Sequence, residues 1–501
     1  MEKTATSVNV SKSNLADVKD NAVLAGFFKD KLSLSSELKK LDNESKGTIS
    51  SYMKDVSFKG EKGETRIVYL NRKIKHLVLV GLGDESKFGL DVLSSAMADL
   101  SRKLRDSSFE SFSVLLNTFR GNFSDEDAIE KIVQSVLTGT YKFTEYKTKD
   151  KDNLKHLKQV SIIADSNKNF DVQLKYGYAV ADAVRKTREL VNTPPNIATP
   201  EYIADYAKEL AKKNDLKCSV FDEKQIGKMK MGCLEAVGKG SENKPRFVVI
   251  EYCGSKQKPI AIVGKGVTFD TGGYNLKPYP YILNMKDDKG GALSAIHIIE
   301  ACSKLKLPVN LVAIVPLCEN MIDASAYRPD DVLKAYNGMT VEIKNTDAEG
   351  RLILADALAY AAELKPQAII DIASLTGASL VALGFIATPF LSTDEKLSVK
   401  IKNASKKSLE KVWEFPLWPE YEEQIKSDVA DLKNISEEGD AGVIIGATFL
   451  KNFVSDIPWV HIDIGTTVWS KSEKGVLTKG GTGTPIRLMM EMLREWDYNK
   501  K

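Results

Sequence analysis

At 501 residues the chain is longer than one hydrophobic core usually serves, so two domains are expected. Its 43% hydrophobic and 28% charged residues are those of an ordinary globular protein, and 71 basic against 68 acidic residues leave a formal charge of only +3. That balance makes no general electrostatic case for nucleic acid. Lys, Asp and Ser recur through the first thirty residues, so no secretory leader is expected.

Taken in chain order, residues 65–185 alternate apolar runs with amphipathic ones. His76–Leu82, Phe112–Leu116 and Val160–Ala164 read as strands, and Asp91–Arg105 as a helix between them, which makes an α/β domain. Gly81-Leu82-Gly83 is a fragment of a dinucleotide loop, but Ser86 stands where the third glycine belongs. The charged stretch Glu145–Lys158 reads as a solvated loop. Val172–Val191 reads as a helix that Pro194 and Pro195 stop. The domain joint is placed there, with an N-terminal α/β domain at 1–192 and a C-terminal domain at 193–501. Thr199 then caps a new helix with Pro200 at its first position.

In the second domain, strands are expected at Arg246–Tyr252, Pro259–Val263, Val309–Val315, Thr340–Ile343, Ala368–Ile372 and Trp459–Ile464. Helices are expected at Gly290–Lys304, Arg351–Leu364 and Ala441–Phe453. The fold class is therefore α/β in both domains, the second a mixed, mostly parallel sheet flanked by helices. The uncharged run Ile372–Thr393 is long enough for a membrane span, but Gly377, Gly384, Pro389 and several hydroxyls argue against one. It reads as a buried strand turning into packed helix. Five cysteines form no C-x-x-C pair, which suits buried thiols in a reducing cytosol. Only four histidines occur and none is paired, so any metal would need oxygen ligands.

Two runs carry the chemistry. Asp347, Glu349 and Arg351 alternate within Asn345–Leu352, and on extended backbone would project together from a strand end. Upstream, Val263–Gly273 continues to Lys277 and on to Met285–Gly291, adding Lys265, Asp270, Lys277 and Asp288. Gly264-Lys265 is not a phosphate loop, because Pro259 and Gly266 occupy its diagnostic positions. Crowded carboxylates repel unless cations hold them ionised, and two divalent ions sharing bridging carboxylates would do so.

VGKGVTFDTGG-x-x-LKP, MKDDKGGA and NTDAEGRL resemble the cytosolic leucyl aminopeptidases, a dinuclear-metal peptidase family. NTPPNIATP, DIASLTGA, PLWPEYEEQIKSDVADLKN and Trp459–Asp463 extend the resemblance over 185–490. It implies two divalent ions, Mn2+ or Zn2+. Asp347 and Glu349 would hold one with Asp270; Lys265 and Asp288 would complete the second, with Asp270 and Glu349 bridging. Lys277 would stabilise the oxyanion, and Arg351 would hold bicarbonate as a proton shuttle. Met285, Ser374 and Gly377 would line the pocket for the first substrate side chain. The implied protein is a cytoplasmic homohexamer that removes N-terminal leucine and other apolar residues from peptides with a free N-terminus. Tyr274-Asn275, Asp287, Lys289 and, within Asp463–Val468, Gly465, Thr466 and Val468 depart from the family's usual residues, and His461 is expected to be structural. The alternative is a nucleic-acid-binding regulator on the same fold, a role that some members of the family add.

Overall fold

The computed structural model describes residues 6–12, 15, 18–149, 155–166 and 168–497, so the loop expected at Glu145–Lys158 lies partly outside the described residues. The chain divides into two units, 1–181 with 472–478 and 182–471 with 479–501. The division falls inside the helix Asp171–Asn192, ahead of the joint placed at 192/193.

In the first unit β1 (Ser7–Ser11), β2 (Ala22–Phe28), β3 (Thr65–Tyr69), β4 (His76–Gly83), β5 (Ser111–Leu115) and β6 (Gln159–Ile163) form one sheet in the order β1-β6-β5-β2-β4-β3. All neighbours are parallel except β3, which runs antiparallel to β4. The expected strands are β4, β5 and β6. β2 escaped notice because it is buried on both faces, which leaves no alternation to read.

The second unit contains β7 (Lys217–Phe221), β8 (Arg246–Cys253), β9 (Ile260–Gly264), β10 (Gly266–Asp270), β11 (Asn310–Asn320), β12 (Val332–Lys334), β13 (Thr340–Glu342), β14 (Ala368–Ala373), β15 (Thr388–Ser392), β16 (Val412–Glu414), β17 (Leu432–Lys433) and β18 (Trp459–Asp463). The main sheet runs β16-β15-β18-β14-β9-β11-β8-β7, with β10 also beside β11. Its centre, β18-β14-β9-β11, is parallel, so the carboxyl ends of these strands reach one edge. β8 and β15 run antiparallel to their inner neighbours and make the sheet mixed. The strand expected at 340–343 forms as β13, but in a small separate sheet with β12 and β17.

Helix Glu349–Glu363 packs with Ala261, Val263, Val312 and Ile314 on one face of the main sheet. Helix Gly290–Leu305 packs on the same strands from the other face. Both are buried nearly all round, as helices with weak amphipathic character are. Glycine lets the second helix approach closely: a β-carbon on Gly291 would lie 2.0 Å from Ile372 O, and one on Gly264 2.5 Å from Gly291 O. This contact brings Asp288, just ahead of the helix, up to Lys265.

The packed helix expected within 372–393 is not what forms. β14 gives way to a six-residue helix, Ala378–Leu383, and then to β15. Bracketed by Gly377 and Gly384, that helix is too short to turn an apolar face inward, and Val381 is 91% exposed. No helix among the described residues is long and apolar enough to cross a membrane.

Candidate metal centre

Asp270 ends β10, Lys265 is the single residue between β9 and β10, and Asp288 lies in a short turn of 3-10 helix before Gly290. Asp347 sits in the turn after β13, and Glu349 is the first residue of its helix. Alternation along a strand therefore does not carry this motif; a turn handing over to a helix does. Asp288 and Glu349 both stand at helix N-termini, where the backbone dipoles favour negative charge. Arg351 separates from the other two: its Nη1 donates to Asn434 O at 2.7 Å.

One oxygen each from Asp270, Asp347 and Glu349 lie within 4.8 Å of one another. Lys265 Nζ stands 2.7 Å from Asp288 Oδ1 and 2.8 Å from Glu349 Oε1, and donates to Ser374 O at 2.8 Å. Lys277 Nζ stands 2.9 Å from Asp270 Oδ2 and 2.5 Å from Asp347 Oδ1. Ser374 Oγ donates to Asp288 Oδ1 at 2.7 Å. Met285 and Ser374 are half-buried, while Gly377 is exposed and has open space where a β-carbon would point. His461 Nδ1 faces Asp371 Oδ1 at 2.6 Å and takes no place in the carboxylate cluster.

Charge is out of balance here. Burial pulls the Lys265 pKa down, but Asp288, Glu349 and Asp270 outweigh it and the net shift is upward. Asp288, Glu349 and Asp347 also shift upward, chiefly through burial, with like charges adding to it. The two directions look opposed, since one favours ammonium and the other neutral acid. Both follow from four carboxylates sharing two ammonium groups.

The supporting residues were not foreseen. Asn320, at the end of β11, donates from Nδ2 to Asp270 Oδ1 at 2.8 Å and to Thr346 O at 3.0 Å. Asn275 and Thr346 bond reciprocally, each backbone N–H donating 2.8 Å to the other's side chain. Asn434 accepts from Lys344 N and Asn345 N and donates to Asn345 O, which fixes the turn that carries Asp347. Isolated asparagines leave no local signal; Asn434 fell within a stretch read as resembling the family, and Asn275 stood out only as a departure from it. The two departures beside Asp288 are buried. Burial raises Asp287 to about 7 and lowers Lys289 to about 7. Lys289 Nζ donates to Lys286 O and Thr193 O, and Lys286 Nζ to Asn192 O, tying the turn to the segment before Pro194.

Residues 185–490 match the catalytic domain of the cytosol aminopeptidase family, and residues 23–150 match its N-terminal domain. The chain belongs to the cytosol aminopeptidase family. It is 42% identical to a probable cytosol aminopeptidase of Aquifex aeolicus, over 92% of this chain and 94% of that one. It is 36% identical to one from Syntrophotalea carbinolica, over 95% and 97%. Among solved structures, a mutant tomato leucine aminopeptidase matches with a TM-score of 0.88 at 30% identity, covering 99% of this chain and 98% of that one. The bottromycin maturation enzyme BotP in complex with Mn matches at 0.85 and 28%, covering 95% and 99%. As a cytosol aminopeptidase the chain is a peptide hydrolase. Its acidic cluster fits a hard cation: the donors are carboxylate oxygens, and Asp288 Oδ2 and Glu349 Oε2 are buried without a hydrogen-bond partner.

Proposed function

We propose that this aminopeptidase removes single N-terminal residues, leucine and other apolar ones foremost, at a centre of two divalent cations, Mn2+ or Zn2+. Asp270, Asp288, Asp347 and Glu349 would hold them together with Lys265, whose amine would have to be neutral to ligate, a form that bound cations favour. The observation that carries the reading is the convergence of Asp270, Asp347 and Glu349 within 4.8 Å, beside buried carboxylate oxygens that lack hydrogen bonds. Bound there, the ions would supply Lewis-acid chemistry: capture of the free α-amine and activation of water.

The chain's own groups do the rest. Burial acts against the charge on Lys277, but Asp270, Glu349 and Asp347 outweigh it and raise the pKa. Lys277 therefore stays cationic and is suited to stabilise negative charge growing on the carbonyl oxygen. Burial lowers Arg351 only to about 10, and its Nε lies buried without a hydrogen-bond partner. It is the residue for a small anion such as bicarbonate, which would serve proton transfer. Met285, Ser374 and Gly377 are assigned to the side-chain pocket, which the open space at Gly377 supports. A homohexamer and a cytoplasmic location complete the reading. The first rests on the resemblance and is open to light scattering; the second is supported by the family's description.

The test strips the purified chain with chelator and measures release of amino acids from a panel of aminoacyl substrates. Turnover should vanish and return with Mn2+ or Zn2+. Undiminished turnover by protein shown to be metal-free overturns the reading.

A further inference from the structure

Beyond the ion-paired cluster, four hydrogen bonds converge on one more buried carboxylate. Asp463 is the last residue of β18 and has no exposed surface. Its Oδ1 accepts from Leu375 N at 3.0 Å, Gly465 N at 3.0 Å and Thr376 N at 3.4 Å. Its Oδ2 accepts from Thr376 Oγ1 at 2.6 Å. A carboxylate withdrawn from water needs such donors, and hydrogen bonds to an ionised acceptor are the stronger kind. Three of these four come from the loop that leaves β14. Asp463 is in register with Ala373, so its side chain reaches forward onto the residues that follow.

That loop also meets the centre. Ser374 offers its carbonyl to Lys265 Nζ and its hydroxyl to Asp288 Oδ1. The opposite half of the centre rests on different supports, Asn320 behind Asp270 and Asn434 behind the Asp347 turn. The two halves are thus separately buttressed.

We propose that Asp463 is a positioning residue for the Lys265–Asp288 half of the centre, acting through the Ser374–Thr376 loop. The inference rests on the two-ion reading above. Loss of the Asp463 charge should loosen the loop, shift Ser374, and weaken one cation site more than the other.

Calorimetric titration of Mn2+ into the metal-stripped full chain tests this. Asp288→Asn marks the binding step of the Lys265–Asp288 half, and Asp347→Asn marks the other. Asp463→Asn keeps the shape and one acceptor but turns an amide toward Thr376 Oγ1. It should weaken the step marked by Asp288→Asn by about 10–100-fold, the usual range for outer-shell partners. The other step should move less than about threefold, with circular dichroism unchanged, since separate supports couple weakly. Adding Ser374→Ala to Asp463→Asn should cost little more, because the two act on one path. Equal weakening of both steps, weakening of neither, or fully additive losses overturn the proposal. Where Asp463→Asn does not fold, Thr376→Val removes only the hydroxyl given to Oδ2 and should weaken the same step about tenfold. A wild type that binds fewer than two ions overturns the two-ion reading itself. Two intact wild-type steps that Asp463→Asn leaves unmoved overturn only the role of Asp463.

Discussion

Replacing Gly350 with alanine asks how closely the centre depends on the placement of Lys265. Gly350 is the second residue of helix Glu349–Glu363. A β-carbon there would lie 2.5 Å from Lys265 Cε, 2.6 Å from Nζ and 2.8 Å from Cδ. Carbon atoms settle at roughly 3.5 Å or more, so the tip of Lys265 must retreat by about 1 Å. Lys265 is buried, and Asp288, Glu349 and Ser374 O hold its ammonium. The backbone is not asked to change, and alanine is the better helix former by about 1 kcal/mol. Against that gain stands partial loss of charge-assisted contacts worth about 1.5–3 kcal/mol each when fully broken. The net cost should be about 1–3 kcal/mol, small enough for a domain of ordinary stability to remain folded. Activity is the more sensitive quantity, because a misplacement of about 1 Å can cost roughly 100-fold. Urea unfolding, metal content and aminoacyl turnover, measured on one preparation, separate the two effects. Wild-type turnover and metal content in Gly350→Ala would refute the argument, since Lys265 would then have moved without consequence.

Three other outcomes are expected. Lys277→Met keeps the length of the side chain but removes the ammonium between Asp270 and Asp347; kcat should fall about 100-fold or more while KM stays within about threefold. A loss confined to KM would assign Lys277 to substrate binding instead. Gly377→Val should fill the open space beside the loop, lowering kcat/KM for leucyl substrates about 10–100-fold while alanyl substrates change little; equal losses for both would remove Gly377 from the pocket. Burial raises the Asp356 carboxyl from 3.8 to about 7, where it accepts from Leu234 N and Tyr336 N at 2.8 Å each. Because the folded value is the higher one, its stabilising contribution is full below the unfolded value and is lost as pH rises through 7. At about 1.36 kcal/mol per pH unit, Asp356 should be worth about 3 kcal/mol less at pH 8 than at pH 5. Urea unfolding of wild type and Asp356→Asn at both pH values checks this, and equal pH dependence in the two would contradict it.

Much of the centre is legible in the sequence because its charges are concentrated in short runs, and parallel strands deliver such runs to one edge. Alternation along a strand does not explain the Asp347–Glu349 pairing, because Glu349 begins a helix instead of continuing a strand. β10 was missed because it resumes one residue after β9, so the eye reads one element and a loop. The short helix Ala378–Leu383 was misjudged because an apolar run without charge says nothing about which neighbours will cover it. Asn320 and Asp270 are partners 50 residues apart, a link that only the pairing of β10 with β11 creates.

β9 and β10 both lie along β11, with Lys265 alone between them. The residue most confined by the centre is thus held by the spine of the sheet on either side. The irregular segments 278–284 and 384–387 belong to no strand, and Tyr279 is 80% exposed. Inheritance can therefore treat the two separately. A substitution in that rim would leave the spine in place.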